Sequence, residues 1–227
     1  LINVCNVTPG GVVVFFSSFN YCEEVMRAWG RGGGPHGSNV GNDGVLERLK
    51  RTKDVYVEPR SATDVERVLA MYATSIEKGK CPEVRLSGAV IFAVVGGKLA
   101  EGINFGDDMG RLVVMVGLPY PNPQDPELRE RMSFMDRQAA EAVPPRPSPS
   151  KDYYVNLCMK AVNQCVGRAI RHINDYAAIL LLDSRYVEQT AVSSRLSNWI
   201  GKSLRRSRNF GECQGSLVRF FKSIPSP

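Results

Sequence analysis

The chain has 227 residues, 43% of them hydrophobic, and a formal net charge of +6. That length suits one large domain, or one domain with additions, and the apolar fraction suffices for a sizeable core. No run of about 18 uninterrupted apolar residues occurs, so no membrane span is expected, and the cationic excess is compatible with a polyanionic partner. The cysteines Cys5, Cys22, Cys81, Cys158, Cys165 and Cys213 form no Cys-x-x-Cys pair. Their spacing fits neither a zinc motif nor a secreted disulfide framework, and a reducing compartment, cytosol or nucleus, is the simplest reading. Leu1–Thr8 has no basic region and no small-residue cleavage site, and it reads as the middle of something longer.

In chain order, Gly11–Phe16 is the first β-rich apolar run, and Ser17 or Ser18 stands where a cap for a helix over Phe19–Trp29 belongs. Gly30–Gly44 is too rich in glycine for a regular element. A second strand over Asp54–Val57, a helix over Ala62–Glu77 and a third strand over Ala89–Val95 follow. Leu112–Leu118 is the fourth strand, Glu127–Ala140 a helix, and Val143–Ser150 a Pro- and Ser-rich surface connection. Tyr153–Arg171 has helical spacing, Ala178–Leu182 is the fifth strand, and Arg195–Ile200 and Gly211–Lys222 are two short helices. Most of the strands are continuously apolar rather than alternating, which suits burial on both faces of a parallel sheet. Alternation of strands and helices predicts an α/β doubly wound fold.

Three segments carry chemistry. On the predicted helix, Val155, Cys158, Val162, Cys165 and Ala169 form an apolar stripe, while Gln164, Arg168 and Arg171 share roughly the opposite face. An amide and two guanidinium groups there suit a phosphate chain, or the face is simply solvated. Gly167, read as a mid-helix glycine, suits close approach of a backbone or ligand. The second segment, Val95–Phe105, begins where a buried strand ends. Gly96 and Gly97 allow a sharp turn whose N–H groups, with Lys98, could hold a phosphate, or the segment is only a tight connection. In the third, Ser17 and Ser18 either bind phosphate at a helix start or only cap it.

In this order the segments resemble motifs IV, V and VI of superfamily 2 helicases: a strand with a Ser-capped helix, Gly97-Lys98…Glu101-Gly102, then Gln164-x-x-Gly167-Arg168-x-x-Arg171. The wording is most similar to the XPD-like iron–sulfur helicases. Within them, Gly10–Phe16, Val95–Phe105, Val113–Pro121 and Asn156–His172 look most like the ChlR-type branch associated with sister-chromatid cohesion. The resemblance runs from about Val4 to Lys222. The chain departs from many relatives at Phe16-Ser17-Ser18-Phe19, where they carry Pro and Tyr.

The resemblance implies a RecA-like second motor domain over residues 1–200, with a short helical C-terminal extension over 201–227. It implies that Arg171 is the arginine finger, with Arg168 its neighbour and Gln164 positioning the nucleotide or attacking water. Glu101, Gly102 and Asn104, with Gly167, would lie on the nucleotide side. Ser17, Ser18, Gly97 and Lys98 would lie nearer single-stranded or forked DNA. ATP and Mg²⁺ would be shared with a first RecA-like domain, and translocation would run 5′ to 3′ in a nuclear enzyme of cohesion and DNA repair. No Gly-x-x-x-x-Gly-Lys-Ser/Thr and no Asp-Glu-x-His occurs in the chain. The resemblance places these, and the four cysteines of a 4Fe–4S cluster, upstream of Leu1, so the chain is expected to be a fragment or an incomplete gene model, inactive alone. No metal site is expected. Two other readings stay open: a non-catalytic nucleic-acid-binding module, and a small-molecule α/β enzyme using Gly96–Lys98 as a phosphate loop. Lys202, Arg205, Arg206 and Arg208 read as a solvated surface.

Overall fold

The computed structural model describes residues 1–31, 43–81, 83, 86–170, 172 and 174–224. Residues 32–42 of the expected glycine-rich loop lie outside the described residues. The elements in chain order are α1 (Ile2–Val7), β1 (Val12–Phe16), α2 (Phe19–Gly30), α3 (Val45–Lys50), β2 (Asp54–Val57), α4 (Ala62–Lys78), β3 (Ala89–Val94) and α5 (Lys98–Gly102). A 3₁₀ turn at Asp107–Gly110 leads to β4 (Leu112–Val116), α6 (Pro126–Glu141), α7 (Ser150–Val166) and β5 (Ala178–Leu182). The chain closes with α8 (Arg185–Glu188), α9 (Thr190–Ser193), α10 (Asn198–Ser203) and α11 (Phe210–Ser223).

The five strands form one sheet in the order β2-β3-β1-β4-β5, and every neighbouring pair is parallel. Strands β1 and β3 are buried along their whole length, as continuous apolar runs require when helices cover both faces. One face packs Val13, Phe15, Ile91, Val113 and Met115 against Val65, Tyr72 and Ile76 of α4 and Leu99 of α5. The other packs Val12, Val14, Phe92 and Val114 against α1, α2, α3 and Leu217 of α11. A third cluster joins Cys158, Met159, Val162 and Val166 of α7 to Tyr186, Val192 and Ile200. The expected C-terminal helix is therefore packed on the sheet, and Gln214 Nε2 donates to the Asn3 carbonyl of α1 at 2.9 Å.

Local chemistry sets the helix starts. The Ser18 Oγ accepts from the Tyr21 N–H at 3.2 Å, the Asp125 carboxylate from Leu128 N–H at 2.9 Å ahead of Pro126, and Asn209 from Glu212 N–H at 3.0 Å. These are N-caps of the ordinary kind. β1, β3 and β4 each differ from the sequence expectation by one or two residues at an end. β4 stops at Val116 because Gly117 turns the backbone to φ +77°, a region that glycine enters freely. The expected helix over Tyr153–Arg171 begins earlier, at Ser150, and ends earlier, at Val166.

All five strands begin at one edge of a parallel sheet, and that edge holds a buried lysine. Lys53 is 0% exposed, and its ammonium donates to the carbonyls of Thr8, Gly10 and Ser87 at 2.9–3.0 Å. Burial pushes its pKa down to about 8. The three acceptors lie just before β1 and β3, while Lys53 itself precedes β2, so one side chain ties three strand entries together. Replacing it with Met removes the partner of one buried carbonyl, at about 1–3 kcal/mol, and of two partly buried ones that water can reach in part, offset in part by no longer desolvating an ammonium. We expect Lys53→Met to lower unfolding free energy by roughly 2–4 kcal/mol, measured by urea denaturation of the chain.

Candidate functional site

The opposite, carboxyl edge of the sheet carries the first group of expected site residues. Val95 N–H donates to the Phe16 carbonyl at 2.9 Å, so the exits of β1 and β3 lie side by side. Ser17 and Ser18 leave β1 exposed, and Gly96 and exposed Lys98 follow β3. Gly96 has φ +77°, which makes the turn tight. Gly97 is buried, and it is not available as a phosphate-cradling position. The space beside it is filled by the Glu58 carboxylate, which a Cβ at residue 97 would strike.

Glu58 is 3% exposed. Its Oε2 accepts from Val94 N–H at 2.8 Å and its Oε1 from Leu99 N–H at 3.0 Å. Burial pushes the carboxyl pKa up, while the N–H groups of Leu99, Val94 and Lys98 pull it back down. The expectation that backbone N–H groups here could hold a phosphate is narrowed: an internal carboxylate takes those of Val94, Lys98 and Leu99, and the Val94 carbonyl takes that of Gly97. The small-molecule reading built on Gly96–Lys98 loses its phosphate loop for the same reason.

The second group lies where α5 ends on the sheet face covered by α4. Glu101, Gly102 and Asn104 are exposed there. Arg168 reaches them from the turn after α7: its NH2 donates to the Glu101 carbonyl at 2.8 Å, and its NH1 lies 3.4 Å from Asn104 Oδ1. Its own carbonyl accepts from Phe105 N–H at 2.9 Å. The segments after β3 and before β5 are thus tied by one residue's side chain and backbone.

That geometry corrects the helix-face argument. Because α7 ends at Val166, Gly167 is its C-cap at φ −64° rather than a mid-helix residue, and no ligand is needed to account for it. Arg168 lies in the following turn and does not share a regular helix face with Gln164. Gln164 is exposed on α7, in a shallow groove with Asn156, Lys160, Asn163 and Arg195. Arg171 lies outside the described residues.

Its neighbours are anchored by a cation that the sequence reading missed. The Arg111 side chain is 9% exposed and pairs with Asp108 and Asp175, each at 2.9 Å. It also donates to the Tyr176 carbonyl at 3.0 Å and stacks over the Tyr176 ring at 3.8 Å. Asp175 Oδ2 accepts from Asp107 N–H at 3.1 Å, and His172 Nε2 lies 3.0 Å from Asp107 Oδ1. Asp107, His172 and Asp175 bring ligand-type atoms within 4.8 Å of one another. Both Asp175 oxygens already serve Arg111 and backbone N–H groups, so the cluster is accounted for as a scaffold. A lone Arg at a strand entry gave no signal in the sequence. Glu58, an acid directly after the strand run Asp54–Val57, gave one that went unread.

The same carboxyl edge continues over β4 and β5. Tyr120 stacks on Tyr154 with centroids 5.0 Å apart, and Arg185, paired with Asp183, stands 5.6 Å from the Tyr120 ring.

A family model described as the helicase C-terminal domain matches residues 1–203. The chain belongs to the helicase C-terminal domain family. Among relatives of this helicase domain, it is 43% identical over 221 residues to the ATP-dependent DNA helicase DDX11 of Danio rerio, covering 97% of this chain and 23% of that protein. To the ATP-dependent DNA helicase CHL1 of Scheffersomyces stipitis it is 40% identical over 225 residues, covering 97% and 25%. The helicase domain thus spans about a quarter of the length of these relatives. An apo XPD structure matches with a TM-score of 0.50 at 22% identity, covering 84% of this chain and 32% of that one. It bears on the fold, a RecA-like α/β sheet with helices on both faces.

For this helicase domain, Arg111→Leu is expected to be costly. It removes the cation that pairs with both Asp108 and the fully buried Asp175 side chain, and taking away one partner of a buried ion pair costs about 3–5 kcal/mol in other proteins. Arg111→Lys should also be destabilising, because one ammonium cannot span both carboxylates and the Tyr176 ring. Thermal and chemical denaturation of both variants checks this, and wild-type stability in Arg111→Leu would contradict it.

Proposed function

We propose that this domain is the second motor half of an ATP-dependent DNA helicase, closing on a P-loop-bearing first domain when ATP binds. The observation that carries the reading is the tie through Arg168 between Glu101–Phe105 and the end of α7. It brings the two motif-bearing segments to one face within a chain of the helicase C-terminal family. In this reading Arg171 is the arginine finger, with Arg168 beside it, and Gln164, Glu101, Gly102, Asn104 and Gly167 line the nucleotide side. Arg168 must trade its internal acceptors for phosphate oxygens, or act by holding the two segments together.

Ser17, Ser18 and Lys98 face single-stranded DNA at the carboxyl edge, with Gly97 serving as the backbone of that turn. The rings of Tyr120 and Tyr154 offer bases an aromatic neighbour there. Contacts to the phosphate backbone make binding salt-sensitive and largely independent of sequence. The motor domain proper covers residues 1–200 and the extension 201–227.

Phosphoryl transfer requires a cradle for the β- and γ-phosphates and an acid to organise Mg²⁺. ATP and Mg²⁺ are therefore shared with the first domain, and this chain contributes guanidinium groups. A 4Fe–4S cluster does not fit the cysteines described here. Cys5 and Cys22 lie in one core cluster, Cys165 in another and Cys158 in the third. Burial pushes these thiols up to about 11–12, away from the thiolate a cluster needs. Such a cluster belongs to another part of the enzyme. The resemblance to ChlR-type helicases supports 5′-to-3′ movement, a nuclear location and work in cohesion and repair. Among the described residues no helix is long and apolar enough to cross a membrane.

The isolated chain should release no phosphate from ATP above background with Mg²⁺ and single-stranded DNA. In a protein that joins it to the first motor domain, Arg171→Ala should lower ATP turnover at least about a hundredfold, given the 10³–10⁵ that arginine fingers contribute elsewhere. DNA affinity and melting temperature should stay near wild type, and Arg171→Lys should remain badly impaired, lacking the planar fork. Retained turnover with collapsed DNA affinity would move Arg171 to the DNA side, and a large fall in melting temperature would make it structural.

A further inference from the structure

The turn after β3 exposes Lys98 beside Ser17 and Ser18, and three features hold that turn in one shape. Gly96 takes a left-handed conformation. Gly97 N–H donates to the Val94 carbonyl at 2.9 Å. The third feature, the Glu58 carboxylate, comes from outside the segment. It enters from the end of β2, and Glu58 N–H donates to the Phe92 carbonyl of β3 at 2.8 Å. Its two oxygens then take Val94 N–H, the last residue of β3, and Leu99 N–H, the first turn of α5. A single bidentate group therefore spans the turn from strand to helix, and Gly97 has no side chain because the carboxylate lies against it. An anion at a helix start also interacts favourably with the aligned peptide dipoles.

We propose that Glu58 is a positioning residue for DNA contact: its carboxylate, acting as a built-in anion, fixes the Gly96–Leu99 turn so that Lys98 meets a backbone phosphate. This rests on the DNA-side reading above. The turn contacts nucleic acid through the Lys98 ammonium and not through a nest of free backbone N–H groups, since Glu58 already fills that position. Its contribution to binding is one charge contact.

Glu58→Gln is close in size and keeps one oxygen, but it turns an NH₂ donor towards a backbone N–H donor, so one side of the bridge opens. In the 227-residue chain, the Leu99 and Val94 amide hydrogens should exchange slowly in the wild type. In Glu58→Gln one or both should exchange at least about tenfold faster, with the central β1 amides unchanged. Binding to labelled single-stranded oligonucleotides is then titrated over a range of salt. One phosphate contact contributes about 0.7 to the log–log salt slope for single strands. Lys98→Ala should lower the slope by about that amount, Glu58→Gln by a similar amount, and the double variant by no more than either.

A general loss of stability lowers the active fraction at every salt concentration and leaves the slope alone, so an unchanged slope in Glu58→Gln overturns the proposal. Additive losses in the double variant overturn it too, since Glu58 would then not act through Lys98. Should Glu58→Gln fail to fold, Gly97→Ala attacks the same contact from the other side with the carboxylate retained, and the same slope change is expected. Fast wild-type exchange at Leu99 would show that the bridge does not form in solution, and would also overturn the proposal. A wild-type chain that binds no DNA overturns the DNA reading of Ser17, Ser18 and Lys98, whereas a wild-type slope surviving Glu58→Gln overturns only the role given to Glu58.

Discussion

In a parallel sheet buried on both faces, the central strands satisfy their backbone along their whole length and leave polar groups free only where they begin and end, and this constraint organises the rest of the domain. β1 and β3 are apolar and buried throughout, so they can carry no polar chemistry along their length. Chemistry is pushed to where strands begin and end. At the entry edge two buried cations do the closing. Lys53 gathers the carbonyls before β1 and β3, and Arg111 joins the 3₁₀ turn before β4 to Asp175 and Tyr176 before β5. At the exit edge a buried carboxylate, Glu58, does the corresponding work for backbone N–H groups. Cations meet carbonyls and carboxylates at one edge, and an anion meets N–H donors at the other.

This arrangement also separates the two halves of the proposed site. Short α5 starts at the exit edge with Lys98 and ends on the sheet face with Glu101 and Gly102. Five residues therefore connect the position proposed for DNA to the position proposed for nucleotide. Arg168 holds the far end through the Glu101 carbonyl, and Glu58 holds the near end through Leu99 N–H.

Much of the fold was legible in the sequence because its strands are uninterrupted apolar runs. β2 and β5 match the expected ranges, and the other strands differ only at their ends, where a glycine such as Gly117 ends the pairing. The long helices were legible from spacing and caps. The four- to six-residue helices α1, α3, α5, α8 and α9 were not, and the helix expected over Arg195–Ile200 is α10 at Asn198–Ser203, since segments of one or two turns show too little period to register. The motif residues were legible as a set, but their placement was not. The apolar stripe continuing to Ala169 suggested that the helix carries Arg168 and Arg171, whereas α7 ends at Val166 and the stripe's last member is buried in the turn beyond. Lys53 and Arg111 were invisible as structural charges, because the Lys53 partners are mostly backbone carbonyls and Asp175 lies 64 residues from Arg111; Glu58 was visible after the β2 run, but its backbone N–H partners were not.

The central claim, that the face carrying Glu101, Asn104 and Arg168 closes on nucleotide held by a partner motor domain, is most directly tested by distance. A donor dye at exposed Lys160 on α7 and an acceptor beside the P-loop of the first domain, in a protein that joins both, report the cleft by energy transfer. A non-hydrolysable ATP analogue with single-stranded DNA should shorten that distance, and removal of the nucleotide should restore it. A distance that ignores nucleotide, in a protein that still hydrolyses ATP, would contradict the account.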